Sequence, residues 1–157
     1  MKKAASFALF LCLLFLAQVG QAQTEQRKKQ FNLSKSGLAI EGYDPVSYFT
    51  KSKAEKGSSK WAVLHNGVTY YFSSEENKEL FKTNPGKYEP QYGGWCAYAM
   101  GANGEKVEVD PETFKILNGK LYLFYHSWTN NTLTKWNKDE TNLRNKADLN
   151  WKKFYTN

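Results

Sequence analysis

Trp61-Ala62-Val63-Leu64-His65-Asn66-Gly67-Val68-Thr69-Tyr70-Tyr71-Phe72 is the stretch that decides the fold. Two runs rich in β-branched and aromatic residues flank Asn66-Gly67. Asn-Gly is the strongest two-residue hairpin signal, because a type I′ turn needs positive φ at both central positions. Pairing about that turn sets His65 opposite Val68, Val63 opposite Tyr70 and Trp61 opposite Phe72, and puts these six residues on one face. Immediately downstream, Ser73 and Glu76 have the spacing of a capping box, so a helix is expected to begin there. It carries Leu80 and Phe81 and stops before Pro85, since a residue preceding proline avoids helical geometry. Asn84-Pro85-Gly86 reads as a turn.

Upstream, residues 51–60 form a charged loop. Before it, Asp44 is placed to cap a short helix with Pro45 at its first position, where the missing N–H costs nothing. Downstream, Gly93-Gly94-Trp95-Cys96-Ala97-Tyr98-Ala99-Met100-Gly101 is the least ordinary segment, with Gly101 expected to end a helix as its C′ residue. Thr113 to Tyr125 reads as a second hairpin about Asn118-Gly119. Phe114, Ile116, Leu121, Leu123 and Tyr125 fall on one of its faces, and Tyr122, Phe124 and His126 on the other. In the tail, Leu133 and Trp136 are three apart, and Leu143, Ala147, Trp151 and Phe154 recur at helical spacing. Two hairpins with several helices and no βαβ alternation predict an α+β domain: a small antiparallel sheet of two hairpins packed with short helices, the C-terminal helix docked on the sheet.

The first residues carry a different message. Lys2-Lys3, the apolar run Ala4 to Ala17 and the small residues of Gly20-Gln21-Ala22 have the pattern of a secretory signal over residues 1–22. The run is too short for a comfortable membrane span of ~20 residues. Cys12 lies inside it rather than after a small-residue box, which argues against lipidation. Processing after Ala22 predicts an exported protein, periplasmic or secreted, with no stable membrane span left. Removing Lys2 and Lys3 lowers the formal charge from +7 to +5. Arg27-Lys28-Lys29 is the densest basic cluster, but no basic stripe suggests nucleic acid. Residues 23–37 are polar and aperiodic and read as a flexible linker to a domain over 38–157. The processed chain keeps one cysteine, Cys96, so no internal disulfide forms and stability rests on packing. Five Trp, ten Tyr and ten Phe in the full chain suit that.

The order of several segments resembles the YHS domain, and more closely the exported single-domain YHS proteins of bacteria. The segments are Gly42-Tyr43-Asp44-Pro45-Val46, Tyr70-Tyr71-Phe72-Ser73-Ser74-Glu75-Glu76-Asn77, Phe81 and Asn84-Pro85-Gly86-Lys87-Tyr88. The likeness continues through Gln91-Tyr92-Gly93-Gly94-Trp95-Cys96-Ala97 and Asn118-Gly119-Lys120-Leu121-Tyr122-Leu123 to Ala147-Asp148-Leu149-Asn150-Trp151. It spans residues 38–154 and implies a fold rather than an activity. Metal-associated YHS modules place cysteines where this chain has Ser47, Ser73 and Asn77, so that route to a soft metal does not carry over: a hydroxyl or amide is a poor substitute for thiolate.

Cys96 is the first candidate site residue. Two glycines precede it, which lets a ligand approach the backbone, and a helix starting there would lower the thiol pKa. The bland alternative is an inert buried cysteine. Trp95, Cys96, Tyr98, Tyr122 and Phe124 are the expected lining of a small ligand pocket. Cys96, with Met100 one helical turn on and His126 at the end of an aromatic strand, is the expected donor set for a metal, and soft sulfur ligands favour Cu(I). Met100 as a core filler and His126 as a strand-end histidine are the plainer readings, and His65 beside a turn is expected to be solvated. No nucleophile elbow, phosphate loop, HExxH or Cys/His quartet is present. Three functions follow: an exported binding module for a small ligand or copper, a thiol enzyme using Cys96 with His126 as base, or a partner-binding module in which Cys96 is inert.

Overall fold

The computed structural model describes residues 20–156. It is an α+β fold in which helix α1 (20–30) precedes α2 (Ser47–Thr50), the hairpin β1 (Ser58–His65) and β2 (Val68–Phe72), and helices α3 (Glu75–Thr83) and α4 (Pro85–Tyr88). Helix α5 (Ala97–Ala102), the hairpin β3 (Asp110–Leu117) and β4 (Lys120–Phe124), a minor pair β5 (His126–Ser127) and β6 (Asn130–Asn131), α6 (Thr132–Trp136) and α7 (Glu140–Thr156) complete it. Among the described residues no helix is long and apolar enough to cross a membrane. The apolar run 4–17 and Cys12 lie outside the described residues.

Both Asn-Gly turns take the expected conformation. φ is 47° at Asn66 and 83° at Gly67, and 51° at Asn118 and 71° at Gly119. In the first hairpin His65 pairs with Val68 and Val63 with Tyr70, but Phe72 lies opposite Ser58, because a bulge intervenes between Ser58 and Ala62. Trp61 is therefore not opposite Phe72. It lies partly buried at the edge of the core, with the ammonium groups of Lys60 and Lys78 over its ring. Val68, Tyr70 and Phe72 are fully buried. His65 packs edge-on against Phe81 rather than standing free in solvent.

Each hairpin is a separate two-stranded sheet rather than half of a common one. Bridges to the connecting chain, Leu38 to Thr69 and Pro90 to Leu121, extend each sheet locally. What joins them is packing. One core cluster holds Val46, Tyr48, Val68, Tyr70, Phe72, Phe81, Leu121 and Leu123, and a second holds Met100, Tyr122, Phe124, Trp136, Leu143 and Ala147. Strand β4 thus buries both faces, Leu121 and Leu123 to one side and Tyr122 and Phe124 to the other, and serves as the wall between two cores. Helix α7 docks against α5 and this region through Leu143 and Ala147.

Three local expectations are corrected. Ser74, not Ser73, is the N-cap of α3 and accepts from the Asn77 N–H at 3.2 Å. Ser73 is drawn away because its N–H and hydroxyl both donate to the Asp44 carboxylate, at 2.8 and 2.7 Å. Gly101 lies inside α5, where any Cβ would collide with the carbonyl of Leu143, so its smallness permits the close approach of α5 and α7. The left-handed position after α5 belongs to Gly104, at φ 75°, whose N–H reaches the Ala99 carbonyl. Residues 23–30, expected as flexible linker, are helical. Polar contacts that leave no periodic trace hold them: Arg27 pairs with Glu89 at 2.5 Å, and Gln30 accepts from Trp95 Nε1 at 2.7 Å.

Helix α2 begins at Ser47 with Val46 as its N-cap, so Pro45 is not its first residue and Asp44 is not the cap expected. Asp44 instead accepts from the Val46 N–H at 2.8 Å, closing the turn that leads into the helix, and does more. Its fully buried carboxylate also receives Asn77 Nδ2 at 2.6 Å, while Ser47 donates its hydroxyl to the Asp44 carbonyl at 2.8 Å. Ser73 and Asn77 therefore gather about one carboxylate, and Ser47 about the main-chain carbonyl of the same residue. Buried charge is tolerated where such donors replace water.

Candidate functional site

Gln91-Tyr92-Gly93-Gly94 turns the chain between α4 and α5. It does so through three consecutive residues at positive φ: 56° at Tyr92, 61° at Gly93 and 86° at Gly94. For a bulky residue such as Tyr92 this conformation is an outlier that the surroundings must hold in place. Tyr92 donates its hydroxyl to Asp148 Oδ1 on α7 at 2.9 Å, and its ring lies 5.9 Å from that of Tyr122. Burial, then the Asp148 carboxylate, raises the Tyr92 pKa, so it remains a phenol and a donor.

The two glycines serve a close approach, but by the chain itself. A Cβ on Gly93 would lie 2.8 Å from the Phe31 ring and 2.9 Å from that of Trp151. The Gly93 carbonyl accepts from the Asn32 N–H at 2.9 Å, and the Gly94 carbonyl from Asn32 Nδ2 at 3.3 Å. The segment after α1 is thus laid across the glycines.

Beside this turn lies an open cleft of about 790 Å³ between α1, the Glu89–Gly93 stretch and α7. Arg27 and Glu89 form one wall. Glu89 Oε1 accepts from both Arg27 and, at 2.7 Å, the Tyr70 hydroxyl. Burial and then the Glu89 charge push the Tyr70 pKa well up, so this phenol too stays protonated. The Arg27 guanidinium stands 4.3 Å over the Phe31 ring, and its Nε is buried with no acceptor among the described residues. Trp151 and Tyr155, 5.4 Å apart and edge to face, line the α7 side with Asp148 and Lys152.

The residues expected to form a site about Cys96 are dispersed. Cys96 is the N-cap of α5 and is fully buried. Its Sγ accepts from the Tyr125 N–H at 3.3 Å and lies 3.4 Å from the Thr132 hydroxyl. Met100 is also fully buried, but in the second core cluster, whereas Cys96 belongs to the first. The His126 ring is half exposed, with Nδ1 3.3 Å from Asp110 Oδ2 and 3.2 Å from the Thr113 hydroxyl. These three side chains have separate partners, and among the described residues no group of three or more His, Cys, Asp or Glu side chains gathers to hold a metal. The donor set does not fit a copper centre as it stands. Tyr122 and Phe124 are buried against Trp136, Tyr98 sits half-buried between the two clusters, and Trp95 covers the end of α1. None of the five residues expected to line a pocket lines the cleft.

No family model, curated protein or solved structure matches the chain. Sequence reasoning passed over Tyr92, Asp148 and Trp151 as site residues, although the segments containing them were singled out. The signal was there in Tyr-Gly-Gly, a run of residues that invites left-handed backbone. For Arg27 and Glu89 there was none, since a charge pair 62 residues apart leaves no mark in sequence.

Proposed function

We propose that the chain is an exported binding module of the YHS type, without catalytic chemistry, that holds a small organic ligand in the cleft beside Tyr92. The observation that carries this reading is convergence. Tyr92-Gly93-Gly94 and Asp148-Leu149-Asn150-Trp151, two segments separated in sequence, meet at the open cleft of about 790 Å³ through a strained backbone and the Tyr92–Asp148 hydrogen bond. Strain of this kind concentrates at ligand sites, and a concave surface with aromatic walls and a few polar groups is the usual form of one. The buried thiol speaks against a Cys96 nucleophile, which needs access and a base.

The test is a screen of small-molecule mixtures against isotopically labelled protein, read at the Trp151 indole and the Gly93 and Gly94 amides. Saturable shifts confined to these resonances support the reading, and their absence across cationic, neutral and anionic probes overturns it. Export is tested by intact mass, which should begin at Gln23. Copper is tested by Cu(I) competition: equal retention by wild type and Cys96→Ser would remove Cys96 from any copper site. A partner-binding function draws support from Trp128, fully exposed at the β5–β6 turn. In-cell crosslinks lost in Trp128→Ser would favour it.

A further inference from the structure

Positive side chains outnumber negative ones in the cleft. Arg27 and Glu89 neutralise each other, leaving Lys120 and Lys152 against Asp148. Among the described residues neither lysine makes an ion pair, and the Tyr92 hydroxyl already engages one oxygen of Asp148. Arg27 adds nothing to this excess, since its Nη2 is held by Glu89 and its Nε is closed off from solvent. Trp151 and Tyr155 supply the aromatic wall beside these lysines.

Resting on the binding reading above, we infer that the cleft selects a small organic anion with a flat apolar body. Its carboxylate accepts from Lys120 and Lys152, and its body lies against Trp151 and Tyr155. A carboxylate supplies acceptors to several donors at once and offsets the excess positive charge. A flat body suits aromatic rings set edge to face. Positive potential in a concave site also concentrates anions from solution. A cationic ligand meets the two lysines unfavourably, and a neutral one leaves their charge uncompensated.

The experiment titrates the full processed chain with benzoate, benzyl alcohol and benzylamine, reading the Trp151 indole and the Gly93 and Gly94 amides by NMR. Benzoate should bind tightest and weaken as salt rises. Lys152→Gln and Lys120→Gln change exposed side chains and should leave the fold intact. Each should weaken benzoate about two- to fivefold, the effect of losing one partly exposed ion pair, and leave benzyl alcohol unchanged. Benzyl alcohol or benzylamine binding as well as benzoate at these resonances overturns the anion assignment while the binding reading stands. Benzoate shifts that ignore both lysine variants and salt overturn it as well. Silence from all three probes overturns the anion assignment, and the binding reading falls if the broader screen is silent too.

Discussion

Gly67 and Gly119 occupy equivalent places in two Asn-Gly turns, yet they are not equivalent residues. Nothing lies near a Cβ built on Gly119, so Gly119→Ala tests backbone conformation alone and should cost about 1 kcal/mol. A Cβ on Gly67 meets Thr24 at 2.6 Å and Lys28 at 2.9 Å, both on α1. Gly67→Ala must strain the turn and also displace the helix. Its loss of stability should exceed that of Gly119→Ala, with faster amide exchange in α1. Urea midpoints that fall equally would show that the approach of α1 is not felt. The turns were legible from sequence, but the second role of Gly67 was not, because Thr24 and Lys28 lie some forty residues away. Asp44 is a similar case. Asp-Pro signalled a turn before a short helix, though Val46 rather than Asp44 is the cap, whereas two of the donors to Asp44, Ser73 and Asn77, arrive from 29 and 33 residues downstream. Asp44→Asn places an amide NH₂ among donors and should cost roughly 2–3 kcal/mol, the penalty for leaving buried polar groups unpaired. Ser73→Ala, which removes one hydroxyl, should cost less. An Asp44→Asn variant as stable as wild type would show that the network is dispensable.

Among the elements, α1 is where sequence reasoning failed. Amphipathic helices announce themselves by apolar period, and α1 has none. It is fixed by Arg27 to Glu89, by Gln30 to Trp95 and Lys106, and by the chain that follows it across Gly93. Polar docking of this kind depends on partners that only the folded chain supplies. Glu89→Gln leaves Arg27 without its carboxylate, the two side chains being 20% and 15% exposed. Exchange protection should fall in α1 before it falls elsewhere, which hydrogen exchange by mass spectrometry would detect. Uniform loss of protection would instead mark Glu89 as a general stability residue. Helix α7 presents a pH-dependent counterpart. Glu140 opens it, paired with Lys115 of β3 and accepting from Trp136 Nε1 at 3.0 Å. The hydrogen bond from Lys115 leads in lowering the Glu140 pKa below 4.5. A depressed carboxylate contributes stability that is present above its unfolded pKa and is lost as pH falls through the folded one. Stability should therefore decline below about pH 4.5, and Glu140→Gln should be less stable at neutral pH with a shallower decline. A variant as acid-sensitive as wild type would assign the decline to other carboxylates.

For the whole molecule, the question is whether two cores make one folding unit. The sequence showed that residues of the second hairpin alternate between two apolar sets, and it assigned one set to a sheet core and the other to a ligand pocket. The structure gives the β4 members of both sets to packing, because α7 and α6 bring Leu143, Ala147 and Trp136 over the face that a bare hairpin would leave open, while Ile116 and His126 stay exposed or half exposed. An alternating apolar pattern on both faces is legible, but what covers each face depends on elements twenty residues on. Since β4 contributes Leu123 to one cluster and Phe124 to the other, neither cluster is complete without the strand. Leu123→Ala and Phe124→Ala should each remove about 2–5 kcal/mol, a large share of the ~5–15 kcal/mol that holds an ordinary domain together. Both should lower one common transition. Far-ultraviolet circular dichroism reports the helices, most of whose residues lie in α7, α3 and α1, and indole fluorescence reports Trp61 beside the first core and Trp136 inside the second. Coincident midpoints by both probes in each variant would mark a single cooperative unit. Fluorescence that separates from circular dichroism in Phe124→Ala, but not in Leu123→Ala, would mean that α5, α6 and α7 detach as a unit of their own, and β4 would then be a seam between two folding units rather than the wall they share.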